Sequence, residues 1–202
     1  MTARWIAFEG GEGSGKSTQA ARLADALGAV LTREPGGTAV GERVREVLLD
    51  PSVAGMDPRA EALLMAADRA QHVAEVVRPA LAEGRSVVSD RSAYSSLAYQ
   101  GYGRGLGAEA IRSLCGWATE ELWPDLAILL DVPVDVSDDR RKDPPDRMES
   151  AGAAFHATVA EGFRSLAAEE PGRWLVVDGV GSVDEVADRV RAGFDEWLSD
   201  RS

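Results

Sequence analysis

The stretch that most constrains this chain is a glycine-rich turn between a short apolar segment and a helical pattern. Residues 5–8 (WIAF) are continuously apolar, which is typical of a buried strand. Residues 10–17 follow as GGEGSGKS and match the pattern G-x-x-x-x-G-K-[ST]. From Ser17 to Leu27 the apolar residues recur at helical spacing. Strand, glycine-rich turn and helix in this order predict a phosphate-binding loop.

The residue types in this turn suit the binding of a nucleoside triphosphate. Glycines let successive backbone N–H groups turn toward phosphate oxygens, and the helix N-terminus adds partial positive charge. Lys16 can then reach the β- and γ-phosphates, and the Ser17 hydroxyl can ligate Mg²⁺. The predicted ATP-binding residues are Gly10, Gly11, Glu12, Gly13, Ser14, Gly15, Lys16, Ser17 and Thr18. A glycine-rich turn without a ligand is the alternative, and the flanking strand and helix argue against it.

Charge and composition exclude several classes of protein. The net charge of −12 argues against a nucleic-acid polymer as partner, because polymer binding relies on broad basic surfaces. The sequence has no apolar run of 18 residues, so no membrane span is predicted. The first strand begins at Trp5, which leaves no room for a signal peptide, and the single cysteine, Cys115, fits a reducing compartment and a core position. We therefore expect a cytoplasmic protein that binds small anionic molecules.

Short apolar segments alternate with helical patterns along the rest of the chain. Further strands are predicted at residues 29–32, 86–89, 126–132 and 174–177. Apolar strands without polar alternation are typical of a parallel sheet that is covered on both faces. The sequence therefore predicts an α/β fold with a doubly wound, parallel, five-stranded sheet flanked by helices. At 202 residues we expect a single domain, with ligands at the C-terminal edge of the sheet.

The intervening segments predict helices of ordinary length. They are expected at residues 17–27, 38–49, 59–78, 92–100, 108–122, 152–168 and 183–197, with a short helix from Asp135 to Arg140. Pro79 is expected to kink the 59–78 helix or to start a new turn. Residues 101–107 (GYGRGLG) contain so many glycines that they predict a loop.

Three polar stretches are expected near the phosphate loop. Residues 32–38 (TREPGGT) follow the second predicted strand, and residues 90–101 (DRSAYSSLAYQG) follow the third. Residues 140–147 (RRKDPPDR) form a compact cationic stretch late in the chain. Placed at the sheet edge, these stretches bring cations toward the γ-phosphate from several directions. Phosphoryl transfer needs such an arrangement, because its catalysis is mainly positioning and neutralisation of charge.

In their order and spacing these stretches resemble the thymidylate kinase family, whose members phosphorylate dTMP with ATP. The resemblance runs from about Trp5 to Asp178 and rests on FEGGEGSGKSTQ, TREPGGT, DRSAYSSLAYQGYGRGL and WPDLAILLDV. It implies the reaction ATP + dTMP = ADP + dTDP in dTTP synthesis, a requirement for Mg²⁺, and a kinase domain that spans residues 1–202. It also implies a homodimer that associates through a helical face, for which the 59–78 helix is our candidate.

The resemblance implies roles for individual residues at the acceptor site. Arg91 matches an arginine that grips the acceptor phosphate, and Asp90 matches an aspartate that supports the Mg²⁺ site beside Ser17. Arg69 matches an arginine that hydrogen-bonds thymine, and Tyr99 matches a tyrosine near the sugar 2′ carbon that disfavours ribonucleotides. The expected acceptor-binding residues are Glu12, Arg33, Pro35, Met65, Arg69, Arg91, Ser96, Tyr99 and Gln100.

At two positions this chain differs from residues that are found in members of the family. Met65 stands where the family commonly has Phe or Tyr stacked on thymine, although a thioether can also cover a ring face. Gly13 stands where some members carry a catalytic arginine, which implies that this arginine comes from a lid segment at about residues 140–149. The candidates are Arg140, Arg141 and Arg147, and the other expected catalytic residues are Lys16, Glu12, Asp90 and Arg91.

Other functions stay open beside the kinase. The nearest keeps the chemistry and changes the acceptor to another pyrimidine (deoxy)nucleotide or to a deoxynucleoside. A nucleotide-dependent switch ATPase would use the same phosphate loop but would leave the acceptor-side motifs without a purpose. A catalytically weakened relative is disfavoured by the intact Lys16, Ser17, Asp90 and Arg91. Arg69 has a simpler reading as a surface ion-pairing residue, and we assign no catalytic or metal role to the two histidines.

Overall fold

The computed structural model describes residues 2–53, 55–133, 136 and 146–201, and is built around one parallel sheet. The strands are β1 (Trp5–Glu9), β2 (Val30–Arg33), β3 (Val87–Asp90), β4 (Leu126–Asp131) and β5 (Trp174–Asp178). Their order across the sheet is β2-β3-β1-β4-β5, and every pairing is parallel. The predicted five-stranded parallel sheet is therefore confirmed.

Helices connect the strands. They are α1 (Lys16–Leu27), α2 (Ala39–Leu49), α3 (Pro58–His72), α4 (Arg78–Ala82), α5 (Ala93–Ser96), α6 (Ala108–Thr119), α7 (Ala153–Glu169) and α8 (Val183–Ser199). The Thr38 side chain caps α2 by accepting a hydrogen bond of 2.9 Å from the Gly41 N–H. Within the described part of the chain, no helix is long and apolar enough to cross a membrane.

The predicted 59–78 helix does not run with one geometry. α3 ends at His72, residues Val73–Val77 form a wider π-helical turn, and α4 then begins with Pro79 in its first turn. Proline has no N–H to donate and clashes with the preceding turn of a regular α-helix. The wider turn and the start of α4 at Arg78 therefore agree with the new turn expected at Pro79.

The prediction of a loop at residues 101–107 is wrong for its first part. A π-helical segment, Leu97–Gly103, continues from α5 through two of these glycines. A Cβ atom on Gly103 would lie 2.6 Å from a ring carbon of Phe155 and 2.8 Å from a methyl of Val159. Gly103 is thus explained by the close approach of α7 rather than by a turn, and the loop proper begins at Arg104.

The core lies on both faces of the sheet. On one face α1 and α8 pack over residues such as Ile6, Phe8 and Ile128. On the other face the 97–103 segment, α6 and α7 surround Tyr94 and Phe163. Four of the five tryptophans are buried or partly buried: Trp5, Trp123, Trp174 and Trp197. Trp117 is 80% exposed on α6 and is not a core residue.

The register of the sheet brings the polar strand ends together. Asp90, the last residue of β3, lies beside Phe8 of β1 on one side and beside Arg33 of β2 on the other. The turns that follow these three strands therefore start from neighbouring points on the same edge. This is the C-terminal edge where ligands of doubly wound folds bind.

Candidate active site

The predicted phosphate loop links β1 to α1 with the backbone that its glycines allow. Gly10, Gly13 and Gly15 have φ values of 136°, 70° and 90°, a region that side chains rarely adopt. At Gly10 a Cβ atom would also lie 2.7 Å from the carbonyl oxygen of Leu130. The loop therefore requires glycine at these positions, and it ends where α1 begins at Lys16.

Lys16 is folded back into the loop. Its Nζ donates to the Gly11 carbonyl oxygen at 2.6 Å and to the Ser14 Oγ at 3.3 Å. Burial lowers the pKa of Lys16, and the nearby Arg91 lowers it further, while Glu12 and Asp90 oppose this change. The ammonium group thus lies inside the loop. Burial disfavours this positive charge, and the phosphate oxygens of a bound nucleotide would compensate for it.

Ser17 and Asp90 are in direct contact. The Ser17 hydroxyl donates a hydrogen bond to the Asp90 carboxylate. Among the described residues there is no group of three or more His, Cys, Asp or Glu side chains that could hold a metal by itself. A hydroxyl and one carboxylate nevertheless fit Mg²⁺, which commonly takes one or two carboxylates and completes its octahedral shell with waters and substrate phosphates.

Arg91 has a strained backbone conformation, and several hydrogen bonds hold its side chain. Its φ is 75°, which is unusual for a residue other than glycine and typical of functional sites. Nη1 donates to the Gly10 carbonyl oxygen and to the Ser95 Oγ, both at 3.1 Å. Nη2 donates to the Glu12 carboxylate and, at 3.1 Å, to the Tyr99 hydroxyl. The guanidinium is therefore fixed beside the phosphate loop.

Glu12 is a charged partner of this arginine. Burial would raise the pKa of Glu12, but Arg91, Lys16 and the Tyr99 hydroxyl outweigh burial and lower the pKa to about 2. The Tyr99 hydroxyl donates to the Glu12 carboxylate at 2.9 Å, and the Tyr99 ring lies 4.9 Å from the Arg91 guanidinium. Glu12, Arg91 and Tyr99 therefore form one hydrogen-bonded unit beside the phosphate loop.

Glu9 is a site residue that the sequence reasoning missed. It is fully buried at the end of β1, and its carboxylate accepts hydrogen bonds of 2.6 Å from the hydroxyls of Ser92 and Ser95. Burial raises the pKa of Glu9 to about 7, although both hydroxyls and Arg91 lower it. Since Ser95 also bonds Arg91, Glu9 supports the arginine from behind. A charged residue that closes an apolar strand was the available signal.

Arg69 lies in a second buried network, and the reading of it as a surface residue is wrong. It is 1% exposed, and its Nε donates to the Glu34 carboxylate at 2.7 Å. Nη1 donates to the Ser96 Oγ at 3.1 Å. The other Glu34 oxygen lies 2.7 Å from Nδ1 of His72. Burial would raise the pKa of Glu34, but Arg69 and His72 outweigh burial and lower it. No pattern in the sequence indicated the contact between Glu34 and His72.

Two adjoining cavities collect the predicted site residues. The larger, of about 860 Å³, is lined by the phosphate loop, Thr18, Asp90 and Arg33, whose guanidinium pairs with Glu42 at 2.7 Å. The smaller is lined by most of the expected acceptor-binding residues: Glu12, Pro35, Met65, Arg69, Arg91, Ser96, Tyr99 and Gln100. Glu12 and Arg91 line both cavities and so stand at their junction.

Six further residues line the smaller cavity without having been predicted as site residues. They are Arg45, Leu49, Asp146 and Met148, in addition to Glu34 and Ser95, whose contacts with Arg69 and Arg91 are described above. Arg45 donates to the Pro35 carbonyl oxygen at 2.9 Å and also lines the larger cavity. Burial lowers the pKa of Arg45, and nearby Arg33 lowers it further. An arginine on α2 had no distinguishing sequence signal, because its distance from the loop depends on how α2 packs.

One of the three candidate lid arginines lies among the described residues. Arg140 and Arg141 lie outside the described residues. Arg147 is described, and it lines a separate cavity rather than the smaller one. Nε donates to the Leu48 carbonyl oxygen at 2.7 Å, and Nη1 lies 2.7 Å from the Glu61 carboxylate.

Comparison with known proteins agrees with this geometry. The sequence model of the thymidylate kinase family matches residues 8–190. A thymidylate kinase of Bifidobacterium longum subsp. infantis is 47% identical over 99% of this chain and 89% of its own length. One from Desulfovibrio desulfuricans is 45% identical, over 98% of this chain and 97% of its own.

A solved structure is similar over nearly the whole fold. The crystal structure of thymidylate kinase from Ehrlichia chaffeensis superposes with a TM-score of 0.79 at 31% identity, covering 95% of this chain and 98% of that one. The family match, the sequence relatives and the superposed structure all extend across the sheet and both cavities. The chain belongs to the thymidylate kinase family.

Proposed function

We propose that this protein transfers the γ-phosphoryl group of ATP to dTMP and releases ADP and dTDP. The observation that carries the proposal is the junction of the two cavities, where Arg91 and Glu12 line both. A phosphoryl group held by the loop on one side would meet an acceptor phosphate held by Arg91 on the other. Proximity and alignment of this kind supply much of the rate of phosphoryl transfer.

On the donor side, the loop amides and Lys16 bind the triphosphate. The contacts of Lys16 with the Gly11 carbonyl and Ser14 hydroxyl give way to phosphate oxygens, which are stronger acceptors for an ammonium group. Ser17 and Asp90 are the residues that would hold Mg²⁺, whose chemistry is to neutralise charge on the phosphate oxygens.

On the acceptor side, Arg91 binds the phosphate of dTMP. Its guanidinium is already oriented by Gly10, Ser95, Glu12 and Tyr99, so little side-chain freedom is lost when the phosphate arrives. The acceptor phosphate is itself an anionic nucleophile at neutral pH. No general base is therefore required, and Glu12 acts by holding Arg91.

The smaller cavity receives the base, with Arg69 and Ser96 at its polar edge and Met65 at its apolar side. Gln100 favours a particular class of base. Its Nε2 donates to Glu61 at 2.9 Å, while its buried Oε1 has no hydrogen-bond partner among the described residues. A free carbonyl can accept the ring N–H that thymine and uracil carry and that cytosine lacks.

The family resemblance supports three further parts of the proposal. Residues 1–202 act as one kinase domain, with the catalytic arginine in the lid segment at about residues 140–149. Arg140 and Arg141 remain candidates for it; Arg147 would first have to leave Glu61 and Leu48. We place the enzyme in the cytoplasm, in keeping with the buried free thiol of Cys115.

The protein acts as a homodimer in this proposal, and exposed apolar side chains support a helical interface. Leu63 on α3 is 59% exposed and Trp117 on α6 is 80% exposed. α3 packs against both α2 and α6, and α2 adds the exposed Val40 and Val47. Apolar groups gathered on neighbouring helices are typical of an interface between copies of a chain.

The test is ADP release from Mg·ATP with dTMP, dUMP, UMP, CMP, AMP or thymidine as acceptor. The proposal predicts turnover with dTMP that exceeds turnover with each other acceptor. Preference for a different pyrimidine nucleotide or for thymidine would keep the kinase and change its acceptor. ATP hydrolysis that no acceptor stimulates would contradict the kinase and favour a switch ATPase.

A further inference from the structure

The turn that contains Arg147 and Met148 is fastened to the end of α2 beside the smaller cavity. The Arg147 N–H donates to the Leu49 carbonyl oxygen at 3.2 Å, and the Met148 N–H donates to the Asp146 carboxylate at 2.7 Å. Met148 is only 4% exposed, yet its side chain lines the smaller cavity together with Met65. One face of Met148 is therefore packed in the protein and the other borders the cavity.

The thioether of Met148 is held by two arginines. Arg147 Nη2 lies 3.3 Å and Arg104 Nη2 lies 3.8 Å from the Met148 sulfur. A thioether is a weak acceptor, so these contacts orient the side chain rather than bind it strongly. Methionine has three rotatable bonds and adapts easily to its surroundings. Fixing it at a cavity wall therefore needs neighbours that are themselves fixed.

Glu61 fixes both arginines. Its carboxylate is 1% exposed and lies 2.7 Å from Arg147 Nη1 and 3.0 Å from Arg104 Nη2. It also accepts a hydrogen bond of 2.9 Å from Gln100 Nε2. Burial would raise the pKa of Glu61, but these partners outweigh burial and lower it, so the carboxylate is charged at neutral pH. A single buried charge thus orients a polar and an apolar residue of the same cavity.

We propose that Met148 forms a second apolar wall of the nucleobase pocket, and that Glu61 is the positioning residue that holds it there through Arg104 and Arg147. The inference rests on the proposed function, since it assigns the smaller cavity to the base. A flat ring has two faces to cover, and the thioether of Met65 covers less area than an aromatic ring would. Met148 supplies the additional apolar contact, while Gln100 and Arg69 take the polar edge.

A purely structural role makes a different prediction. Met148 belongs to the core cluster that includes Tyr99 and Phe163, so its truncation lowers stability in either case. If Met148 served packing alone, its truncation would weaken the binding of ATP and of the acceptor to the same extent, or would affect neither. If Met148 forms a wall of the nucleobase pocket, its truncation weakens binding of the acceptor and leaves binding of the donor unchanged.

The experiment compares Met148→Ala, Met148→Leu, Glu61→Gln and the double variant Glu61→Gln/Met148→Ala with the wild type. Met56→Ala is the matched control, because Met56 lines a different cavity from Met148. Equilibrium dissociation constants for dTMP, dUMP and the ATP analogue AMP-PNP are measured by calorimetry on the full chain. KM for dTMP, KM for ATP and kcat are measured in parallel, and thermal unfolding shows which variants are folded.

We expect Met148→Ala to raise the Kd and KM for dTMP by about tenfold, the usual effect of removing a small apolar contact from a binding pocket. Met148→Leu conserves volume and stays within about threefold of wild type. Glu61→Gln also weakens dTMP binding, and adding Met148→Ala to it has less effect than in the wild type, because both changes affect one wall. Met56→Ala and the constants for ATP and AMP-PNP stay close to wild type.

Several outcomes would overturn the inference. Unchanged dTMP and dUMP binding in folded Met148→Ala excludes the wall, even if the kinase is fully active. Equal losses of affinity for AMP-PNP and dTMP exclude the connection between Glu61 and Met148. It is also excluded if the effects of the two substitutions on dTMP affinity are fully additive in the double variant. A wild type that binds dTMP and dUMP but transfers no phosphoryl group contradicts the proposed function alone. A wild type that binds neither nucleotide overturns both.

Discussion

At the scale of single residues, the site is organised by buried charges that hold other charges in place. Glu12 and, through Ser95, Glu9 hold Arg91, whereas Glu34 holds Arg69. Glu34 is buried and Glu12 is partly buried, so the loss of either arginine would leave a carboxylate charge without its partner in a medium of low dielectric constant. Arginines fixed in this way present their donors to a phosphate or a base without further ordering.

The first residue-scale prediction concerns Arg91. Arg91→Lys keeps the charge but loses the planar fork, and we expect kcat/KM for dTMP to fall by about 100-fold or more. KM for ATP should change little, because the loop and Lys16 bind the donor. Arg22→Ala is the control, since Arg22 forms an ion pair with Asp184 in which both side chains are exposed. Steady-state kinetics with both variants checks this, and a loss confined to KM for ATP would contradict it.

The protonation of Glu9 should make the stability of the protein depend on pH. The folded protein holds the Glu9 proton up to about pH 7, whereas an ordinary glutamate loses it near 4.5. The folded state therefore binds more protons than the unfolded state between these values, and Glu9 makes the free energy of unfolding decrease as pH rises. Above pH 7 the ionised carboxylate lowers stability by up to roughly 3 kcal/mol relative to the neutral form.

Glu9→Gln cannot ionise and removes this contribution. The stability of Glu9→Gln relative to wild type should thus increase from pH 5 to pH 8, as Glu9 ionises beside Arg91 and Glu34 in the wild type alone. Urea unfolding of both proteins across this range measures the difference. A difference that does not vary with pH would show that Glu9 titrates at an ordinary value.

At the scale of the elements, the 97–103 segment shows how packing sets local structure. We expect Gly103→Ala to lower the free energy of unfolding by about 1–3 kcal/mol, because the added methyl meets Phe155 and Val159 of α7. Gly172→Ala is the matched control, since its nearest contact would be an arginine side chain at 3.5 Å. Chemical denaturation of the two variants checks the difference; equal effects would contradict the packing explanation.

The sequence predicted those elements whose cause is local. The phosphate loop and the strands follow from glycine positions and apolar runs, which act over a few neighbouring residues. The loop prediction at residues 101–107 was wrong at Gly101 and Gly103, because their small size allows close contact with helices that come later in the chain. The same reason hid Glu9, Glu61 and Met148, since their roles depend on partners that only the packed fold brings near.

At the scale of the whole molecule, the exposed apolar face predicts association. We expect the wild type to sediment as a dimer and Trp117→Arg to sediment as a monomer, because a buried charge without a partner opposes association. Val176→Arg is the control, as Val176 is 53% exposed on the edge strand β5 rather than on a helix. Analytical ultracentrifugation distinguishes these cases, and a Trp117→Arg protein that remains dimeric would place the interface elsewhere.

The strand order also has a consequence for synthesis on the ribosome. β1 lies at the centre of the sheet, with β3 on one side and β4 on the other. β2 and β3 leave the ribosome before β4, so one edge of β1 stays open until residues 126–131 emerge. That edge belongs to an entirely buried strand, and open apolar edges promote aggregation. We therefore expect the nascent chain to be most prone to aggregation before β4 has emerged.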